Sequence, residues 1–266
     1  MTSIDFNELE LDLRRRLSPV LDSGVQLTVV ETIESTNVQL KTQAVTSNQT
    51  LLLAREQTAG VGRRGSLWQS PPAGNLYLSY CVHSDRTLNE LSLWSLGVTV
   101  AVADALERDL SLECKIKWPN DLYLQGMKVG GVLLETVNLP GDDVAVVIGV
   151  GLNVASHPDP ALLQRPVTCI CKHTETSVDL SMIAALVSAA LVDMCRLSQT
   201  ALQAWLISSW PSRDMILNQP VVVPTLGEGL GIARGLSRDG GLQVEFAGEL
   251  RTVYAGEVSF GHVDTQ

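Results

Sequence analysis

The residues Lys117, Trp118, Pro119, Asn120 and Asp121 bring a cation, an aromatic ring, a rigid turn residue, an amide and a carboxylate together in five consecutive positions. Proline removes a backbone donor and fixes φ, so the chain has to leave any central strand here and form a shaped loop. A structural turn with a capping Asp is the simpler interpretation of such a loop. Because other polar loops follow strand-like segments of this chain, we predict instead a ligand site at a strand end.

A second loop, from Gln57 to Gly65, combines three glycines with Arg63 and Arg64. Glycines let backbone N–H groups approach an anion closely, and arginines add charge-assisted, fork-shaped donors. The loop therefore suits a phosphate or a carboxylate. The spacing of a Walker phosphate loop is absent, and a glycine-rich turn is often only a turn.

Two further polar segments follow predicted strands. Ser35, Thr36 and Asn37 look like the start of a helix with Ser35 as its cap, and capping alone is the alternative to ligand binding. The glycine-bearing turn Gly149–Asn153 ends another strand, and Trp68 is either a core residue or a stacking surface for a purine. Polar loops at the ends of neighbouring strands commonly build one ligand site, which we expect here.

The elements that must position these loops alternate between strand and helix, which predicts an α/β or α+β domain with a mixed sheet; we adopt α+β. A hairpin is expected to turn at Gln125-Gly126. The predicted strands are Val25–Glu31, Leu51–Arg55, Leu76–Val82, Glu113–Trp118, Asp121–Leu124, Lys128–Val137 and Val144–Val150. The predicted helices are Asn7–Leu17, Leu91–Leu110 and Leu180–Leu197.

The pattern of predicted elements changes after Asn218, where short strands are separated by glycine-containing turns. This pattern predicts a small antiparallel barrel of roughly 45 residues. We place the boundary at Trp210–Asn218, which gives domains 1–217 and 218–266. The predicted strands of the barrel are Val221–Val223, Gly229–Leu236, Leu242–Phe246, Leu250–Ala255 and Val258–Phe260.

Composition excludes several classes of protein. The chain has 266 residues, 45% of them hydrophobic, enough for one large core and a small second one. A net charge of −10 disfavours general nucleic-acid binding. The acidic N-terminus and the lack of a long apolar run argue against a signal peptide or a membrane span, so we expect a cytoplasmic protein.

The five cysteines are odd in number and scattered, as is usual for reduced thiols. Cys169, Cys171 and His173 would share one face of a strand, as metal ligands do, but no second Cys/His pair completes a four-coordinate site. We therefore expect two buried thiols in a strand and no metal centre.

The order of the motifs resembles that of the biotin protein ligase family from about Ile33 to the C-terminus. The motifs are Ser35-Thr36-Asn37, the loop Gln57–Gly65 with Trp68, Lys117–Asp121, the segment Gly126–Gly131, and Gly149–Asn153. The resemblance implies a biotin/lipoate-ligase-type catalytic domain followed by a small SH3-like barrel. It also implies a reaction in which biotin and ATP form biotinyl-5′-AMP and pyrophosphate, and a lysine of a biotin carboxyl carrier protein or domain then takes the biotinyl group.

Residue roles are implied by the same resemblance. A carboxylate that attacks a phosphate needs cations and N–H dipoles around it more than a nucleophilic side chain. The implied catalytic residues are Lys128, Arg63 and Asp121, with Lys128 bridging the biotin carboxylate and the α-phosphate unless it is an ordinary exposed hairpin lysine. The implied biotin-binding residues are Ser35, Thr36, Asn37, Gln57, Val61, Gly62, Arg63, Lys128, Gly130 and Gly131. The implied ATP-binding residues are Arg63, Arg64, Trp68, Lys117, Asn120, Asp121 and Asn153, with Asp121 acting through Mg²⁺ or orienting the arginine loop.

Two positions depart from the family pattern, because Val61 and Ser66 stand where basic residues are usual. Only about 30 residues precede Ser35, too few for the winged-helix DNA-binding domain of the family's bifunctional members. The resemblance also allows a homodimer through the edge of the sheet. The alternatives are a lipoate or octanoate ligase, which shares the core fold, and a biotin-binding sensor without catalysis.

Overall fold

The computed structural model describes residues 6–71, 74–141, 143–163 and 165–261. Within these ranges, a seven-stranded sheet has the order β1-β2-β3-β7-β6-β5-β4. Only the pair β1–β2 is parallel, so the sheet is mixed, as predicted. The strands are β1 (Gln26–Ile33), β2 (Thr50–Gln57), β3 (Leu76–Ser84), β4 (Lys115–Lys117), β5 (Asp121–Leu124), β6 (Met127–Asn138) and β7 (Val144–Leu152).

The two long amphipathic helices predicted from the sequence are present and pack against each other and the sheet in the main hydrophobic core. Helix α4 begins with a capping box, in which Glu90 N–H donates to Thr87 Oγ1 and Thr87 N–H donates to Glu90 Oε2. The helices are α1 (Phe6–Arg16), α2 (Ser18–Leu21), α3 (Thr36–Thr42), α4 (Leu88–Leu110), α5 (Pro160–Leu163), α6 (Leu180–Cys195) and α7 (Gln199–Arg213). No helix in the described ranges is long and apolar enough to cross a membrane.

The strand directions bring the predicted polar loops to one edge of the large sheet. Strands β1, β2 and β7 end at this edge, and β3 and β6 begin there, as the pairs Ile33–Gln57, Leu76–Leu152 and Gly130–Leu152 require. The short strands β4 and β5 lie beside the first residues of β6, so the turn between Lys117 and Asp121 is level with Gly131. The expected convergence of the loops is therefore confirmed. The predicted hairpin is also present, with φ of 48° at Gln125 and 77° at Gly126, the left-handed conformation of a tight two-residue turn.

A second, five-stranded antiparallel sheet follows, with the order β11-β10-β9-β8-β12. It agrees with the barrel predicted from the glycine turns. Its strands are β8 (Pro220–Val222), β9 (Gly231–Leu236), β10 (Leu242–Phe246), β11 (Glu249–Val253) and β12 (Ser259–Phe260).

Trp210 and Pro211, which marked the start of the predicted domain boundary, lie inside helix α7, where Trp210 is buried and donates through Nε1 to Asp214. The prediction of two buried thiols in one strand was wrong. Cys169 is buried, but Cys171 is exposed and lies in a 3₁₀ turn rather than a strand, because the chain folds back after Thr168. In the described ranges no group of three His, Cys, Asp or Glu side chains is arranged to hold a metal ion.

Strands β6 and β7 approach each other closely where glycines face each other. An added Cβ at Gly130 would lie 2.3 Å from Leu152 Cδ2 and 2.7 Å from Gly151 O. A Cβ at the next residue, Gly131, would meet nothing nearer than Asp121 Oδ1 at 3.3 Å. The two glycines therefore tolerate a methyl group differently, although they are adjacent in one strand.

We expect Gly130→Ala to lower the free energy of unfolding by about 1–3 kcal/mol, because the methyl group overpacks a backbone contact that cannot move away. Gly131→Ala is the matched control and should lower it less. Urea denaturation of the three proteins measures both effects. Equal losses for the two variants would show that close packing at Gly130 is not the cause.

Candidate functional site

A cavity of about 350 Å³ opens at the sheet edge where the polar loops meet. Its walls come from the ends of strands in the large sheet, from the glycine- and arginine-containing loop Gln57–Gly65, and from residues 224 and 257–259 of the C-terminal part of the chain. Most of the polar side chains selected from the sequence line it. The cavity therefore gathers chemistry from segments that lie far apart in the chain.

One end of the cavity carries hydroxyl and amide groups. Ser35 caps helix α3, accepting from Val38 N–H, as predicted. The side-chain oxygen Oε1 of Gln57 accepts from the Thr36 backbone N–H at 2.9 Å and lies 3.1 Å from Thr36 Oγ1. Asn37, which is 4% exposed, bonds through Nδ2 to Glu135 and through Oδ1 to Ser79. This end offers neutral donors and acceptors to a polar, uncharged group.

The other end holds a buried ammonium group. Lys128 is 7% exposed, donates to Asp121 Oδ1 at 2.6 Å and lies 5.6 Å from the centre of the Trp68 ring. The alternative of an exposed hairpin lysine is therefore wrong. Burial lowers the pKa of Lys128, as do the charges of Arg165 and Lys117, whereas Asp121 raises it. The result is a desolvated cation beside a carboxylate that helps to keep it charged.

Backbone pairing explains how Lys128 becomes buried at the start of a strand. Its N–H donates to Pro166 O at 3.0 Å, and its carbonyl accepts from Thr168 N–H at 2.9 Å. Val167 thus pairs with Lys128 in a short parallel bridge. The segment 166–168 covers the lysine from the side that a free hairpin would expose to water.

The loop from Gly60 to Gly65 is a small hairpin closed by a bridge between Val61 and Leu67. Its tip turns through Arg64, which has a φ of 54°. Arg63 donates to Asn120 Oδ1 and to the carbonyl oxygen of Gly256, both at 3.3 Å, and so connects the loop to both sheets. Burial lowers the pKa of Arg63, and the charge of Asp121 raises it.

Lys117 and Trp68 complete the charged end of the cavity. Burial lowers the pKa of Lys117, and its Nζ lies 5.7 Å from the centre of the Phe260 ring. The Trp68 indole packs against Gly151, where a Cβ would lie 2.5 Å from the ring. Its Nε1 is buried and, in the part of the chain that the structure describes, has no hydrogen-bond partner. A ligand acceptor at this point would satisfy that donor.

The structure brings thirteen of the selected residues to the cavity wall and leaves three outside it. Arg64 is exposed at the tip of the loop, Gly130 faces β7, and Asn153 donates through Nδ2 to Thr168 O at 3.0 Å. The residues on the wall are Ser35, Thr36, Asn37, Gln57, Val61, Gly62, Arg63, Trp68, Lys117, Asn120, Asp121, Lys128 and Gly131.

Sequence reasoning missed several charged residues at or near the cavity. Arg165 and Glu257 line it, and their charges act on Lys117. Glu135 lies behind the polar end, bonded to Asn37. Arg165 and Glu257 belong to no recognisable sequence motif. Glu135 lies in the partly exposed half of strand β6, where a charged residue is common and gives only a weak signal of a functional role.

Comparison with protein families places both parts of the chain. Residues 29–153 match the biotin/lipoate A/B protein ligase family, and residues 216–261 match the biotin protein ligase C-terminal domain. Both matches fall where the corresponding motifs and the small barrel were predicted.

Individual relatives agree. The chain is 31% identical to the bifunctional ligase/repressor BirA of Escherichia coli, over 90% of this chain and 75% of that protein. It is also 31% identical to the biotin–(acetyl-CoA-carboxylase) ligase of Paracoccus denitrificans, over 86% of this chain and 98% of that enzyme. A solved biotin protein ligase from Aquifex aeolicus, in complex with biotin and ATP, superposes with a TM-score of 0.76 at 28% identity and covers 90% of this chain and 99% of that one. With this identity and coverage, the chain belongs to the biotin protein ligase family.

Proposed function

We propose that this protein is an ATP-dependent ligase that activates biotin as biotinyl-5′-AMP and transfers the biotinyl group to a lysine of a biotin carboxyl carrier protein or domain. The observation that carries this proposal is one cavity with two chemically different ends. Neutral hydrogen-bonding groups line one end, and the buried Lys128 lies at the other beside Asp121. A ligand with an uncharged polar ring and a carboxylate tail matches that arrangement.

Biotin's ring would lie against Ser35, Thr36 and Gln57, of which the last two lie within hydrogen-bonding distance of each other. Backbone at Gly131 and the side chain of Val61 would border it. Asn37 is committed to Glu135 and Ser79, so we assign it to holding this end in shape. Gly62 gives the loop its tight turn, since a Cβ there would lie 2.6 Å from Ser66 Oγ.

In the first step a biotin carboxylate oxygen attacks the α-phosphorus of ATP, and the bond to the pyrophosphate oxygen breaks. Lys128 lies where it offsets the repulsion between carboxylate and phosphate, and Arg63 adds fork-shaped donors from the loop. In the second step the acceptor lysine attacks the biotinyl carbonyl carbon and AMP leaves. Burial strengthens these electrostatic contributions because water screens them less.

ATP would occupy the end of the cavity near Lys117, Asn120 and Trp68, whose unpaired Nε1 is available to an acceptor. Arg64 would reach the nucleotide from the exposed tip of the loop. Asn153 supports the site through Thr168. Asp121 and Glu257 are carboxylates on the cavity wall, and Mg²⁺ is commonly held by one or two carboxylates together with substrate phosphates. These two residues would hold the ion, which neutralises phosphate charge.

Several finer assignments belong to the same proposal. The five free thiols support a cytoplasmic location, where the compartment is reducing. The division into residues 1–217 and 218–266 follows the two sheets. A homodimer through the sheet edge is an expectation from the family, which light scattering on the purified protein tests.

Transfer of biotin to a carboxylase carrier domain, followed by mass spectrometry, tests the function. A mass gain of one biotinyl group that depends on both biotin and ATP is expected. Pyrophosphate release without the acceptor separates a ligase from a biotin sensor. A preference for lipoate over biotin in direct calorimetric titration would favour the lipoate ligase alternative.

Lys128→Met should lower the rate of pyrophosphate release by about 100-fold or more, because it removes the preorganised charge and keeps most of the side-chain volume. Lys115→Met is the matched control, since Lys115 lies on strand β4 of the same sheet and its side chain is 42% exposed. That variant should retain the wild-type rate. A folded Lys128→Met protein with a near-normal rate would contradict the assigned role.

The rate should also fall at alkaline pH. Deprotonation removes the charge of Lys128, and its pKa is lowered from the ordinary 10.5, so the decline should be centred below that value. Arg165→Ala removes a repelling charge, which raises the pKa of Lys128 and should move the decline to higher pH. Initial rates over pH 7–11 measure both, with Leu162→Ala, at an exposed position of the nearby helix α5, as the control. If the rate of Arg165→Ala declines at the same pH as that of the wild type, this electrostatic account is wrong.

Val61→Arg should tighten biotin or adenylate binding about 10- to 100-fold, since it restores a donor that the family usually has at this cavity-lining position. Leu250→Arg adds the same charge at an exposed position on β11 and should have almost no effect. Calorimetric titration with biotin and with a non-hydrolysable biotinyl-AMP analogue compares the proteins. Unchanged or weaker binding of both ligands would mean that the pocket is built around Val61.

A further inference from the structure

Cys169 and Cys171 lie side by side directly after the segment 166–168, which covers Lys128. Their sulfur atoms are 3.2 Å apart. Cys169 is 1% exposed, whereas Cys171 is exposed to solvent. Among the residues that the structure describes, no other two thiols lie within hydrogen-bonding distance of each other. The pair therefore places a thiol that solvent reaches against one that it does not reach.

Backbone hydrogen bonds connect the pair to the functional site. Thr168 N–H donates to Lys128 O at 2.9 Å, and three residues later Cys171 N–H donates to Val154 O at 3.0 Å. The Cys171 thiol also donates to Ala155 O at 3.2 Å. One end of this stretch of chain thus pairs with the buried lysine, and the other end is held partly by a thiol proton.

The two thiols differ in how readily an oxidant attacks them. Oxidation of a cysteine is favoured by exposure and by the thiolate form. Burial raises the pKa of Cys169 to about 11, and the hydrogen bond with Cys171 adds to that shift. Cys169 therefore stays protonated and shielded at neutral pH. An oxidant in solution reaches Cys171 first.

We propose that Cys169 and Cys171 form a reversible disulfide when hydrogen peroxide oxidises the protein, and that this bond loosens the segment over Lys128. In the first step the Cys171 sulfur attacks one peroxide oxygen, the O–O bond breaks, and a sulfenic acid and one water form. In the second step the Cys169 sulfur attacks the Cys171 sulfur, the S–O bond breaks, and hydroxide leaves with the Cys169 proton as a second water. Two thiols are oxidised by two electrons in total, and the peroxide is reduced by two.

The new bond changes the contacts of the pair. The sulfurs of a disulfide are about 2.05 Å apart, so closing the bond brings these two about 1 Å closer together. A disulfide has no S–H, so the hydrogen bond from Cys171 to Ala155 O is lost. Because Cys169 directly follows Thr168, we expect the movement to weaken the bond between Thr168 N–H and Lys128 O. Disulfides that are exposed or strained are the easily reduced ones, which makes the change reversible.

This inference goes beyond the proposed function, because neither the disulfide nor the loosening of the segment requires biotin. Mass spectrometry tests the first part. The reduced protein is treated with a small excess of hydrogen peroxide, catalase removes the remainder, and the peptide that contains both cysteines is analysed. We expect this peptide to lose two hydrogen atoms and to regain them with dithiothreitol.

Three variants identify the two sulfurs. Cys171→Ser keeps a donor for Ala155 O and should form no disulfide. Cys169→Ser should leave a sulfenic acid at Cys171 that dimedone traps, because the second thiol is missing. Cys81→Ala is the matched control, since it removes a buried thiol outside the pair. That variant should form the disulfide as the wild type does.

Hydrogen–deuterium exchange and calorimetry test the second part. In the oxidised wild type the Thr168 amide should exchange about fivefold faster, which corresponds to the loss of about one hydrogen bond. Biotin should bind about fivefold more weakly for the same reason. Dithiothreitol should restore both values, whereas peroxide should change neither in Cys171→Ser.

Two results would overturn the proposal. If the wild type keeps both thiols, or gains only oxygen that dithiothreitol does not remove, the pair does not form a reversible disulfide. If the disulfide forms and the exchange of Thr168 stays at the reduced rate, the bond does not act on the site. A protein that forms the disulfide and exchanges faster at Thr168, yet binds no biotin, would support this inference and contradict the proposed function alone.

Discussion

The burial of one ammonium group, that of Lys128, constrains most of this site. Removing a charged amine from water is costly unless the protein supplies compensating groups. Asp121 supplies a carboxylate at 2.6 Å, and Trp68 presents its ring face. The segment 166–168 pairs with the lysine backbone and keeps solvent away. The lysine lies at the start of strand β6. Glycines in β6 and β7 allow the two strands to approach each other closely beside it.

Most of the fold could be predicted because hydrophobic spacing is a local property. Helices α4 and α6 and the strands of both sheets were expected from periodicity and turn residues, and the structure has them with ends shifted by a few residues. Helix α7 was not predicted, and its residues Trp210 and Pro211 were placed at the domain boundary instead. The proline lies in the last turn, where little of the helix remains to be disrupted, and Trp210 is held by Asp214.

Residues that line the cavity could be predicted from the sequence better than residues that lie behind it. Residues that line the cavity belong to motifs with a characteristic order, so thirteen of them could be selected from the sequence. Glu135 is bonded to Asn37 behind the cavity, and Arg165 and Glu257 reach the cavity from segments without a motif. Contacts of this kind depend on tertiary packing between distant segments. Asn153 was selected by its motif, and its side chain is bonded to Thr168 and does not line the cavity.

Arg63 illustrates how the site can be partly assembled and still able to take a substrate. Its guanidinium bonds two neutral acceptors, Asn120 Oδ1 and Gly256 O, both at 3.3 Å. A phosphate adds to such hydrogen bonds the attraction between opposite charges, which a neutral acceptor lacks, so it can compete for these donors. A carboxylate partner would have held the arginine more tightly and raised the cost of releasing it. Neutral partners thus position the loop against both sheets while leaving its charge available to the nucleotide of the proposed reaction, and the small sheet contributes one of those partners.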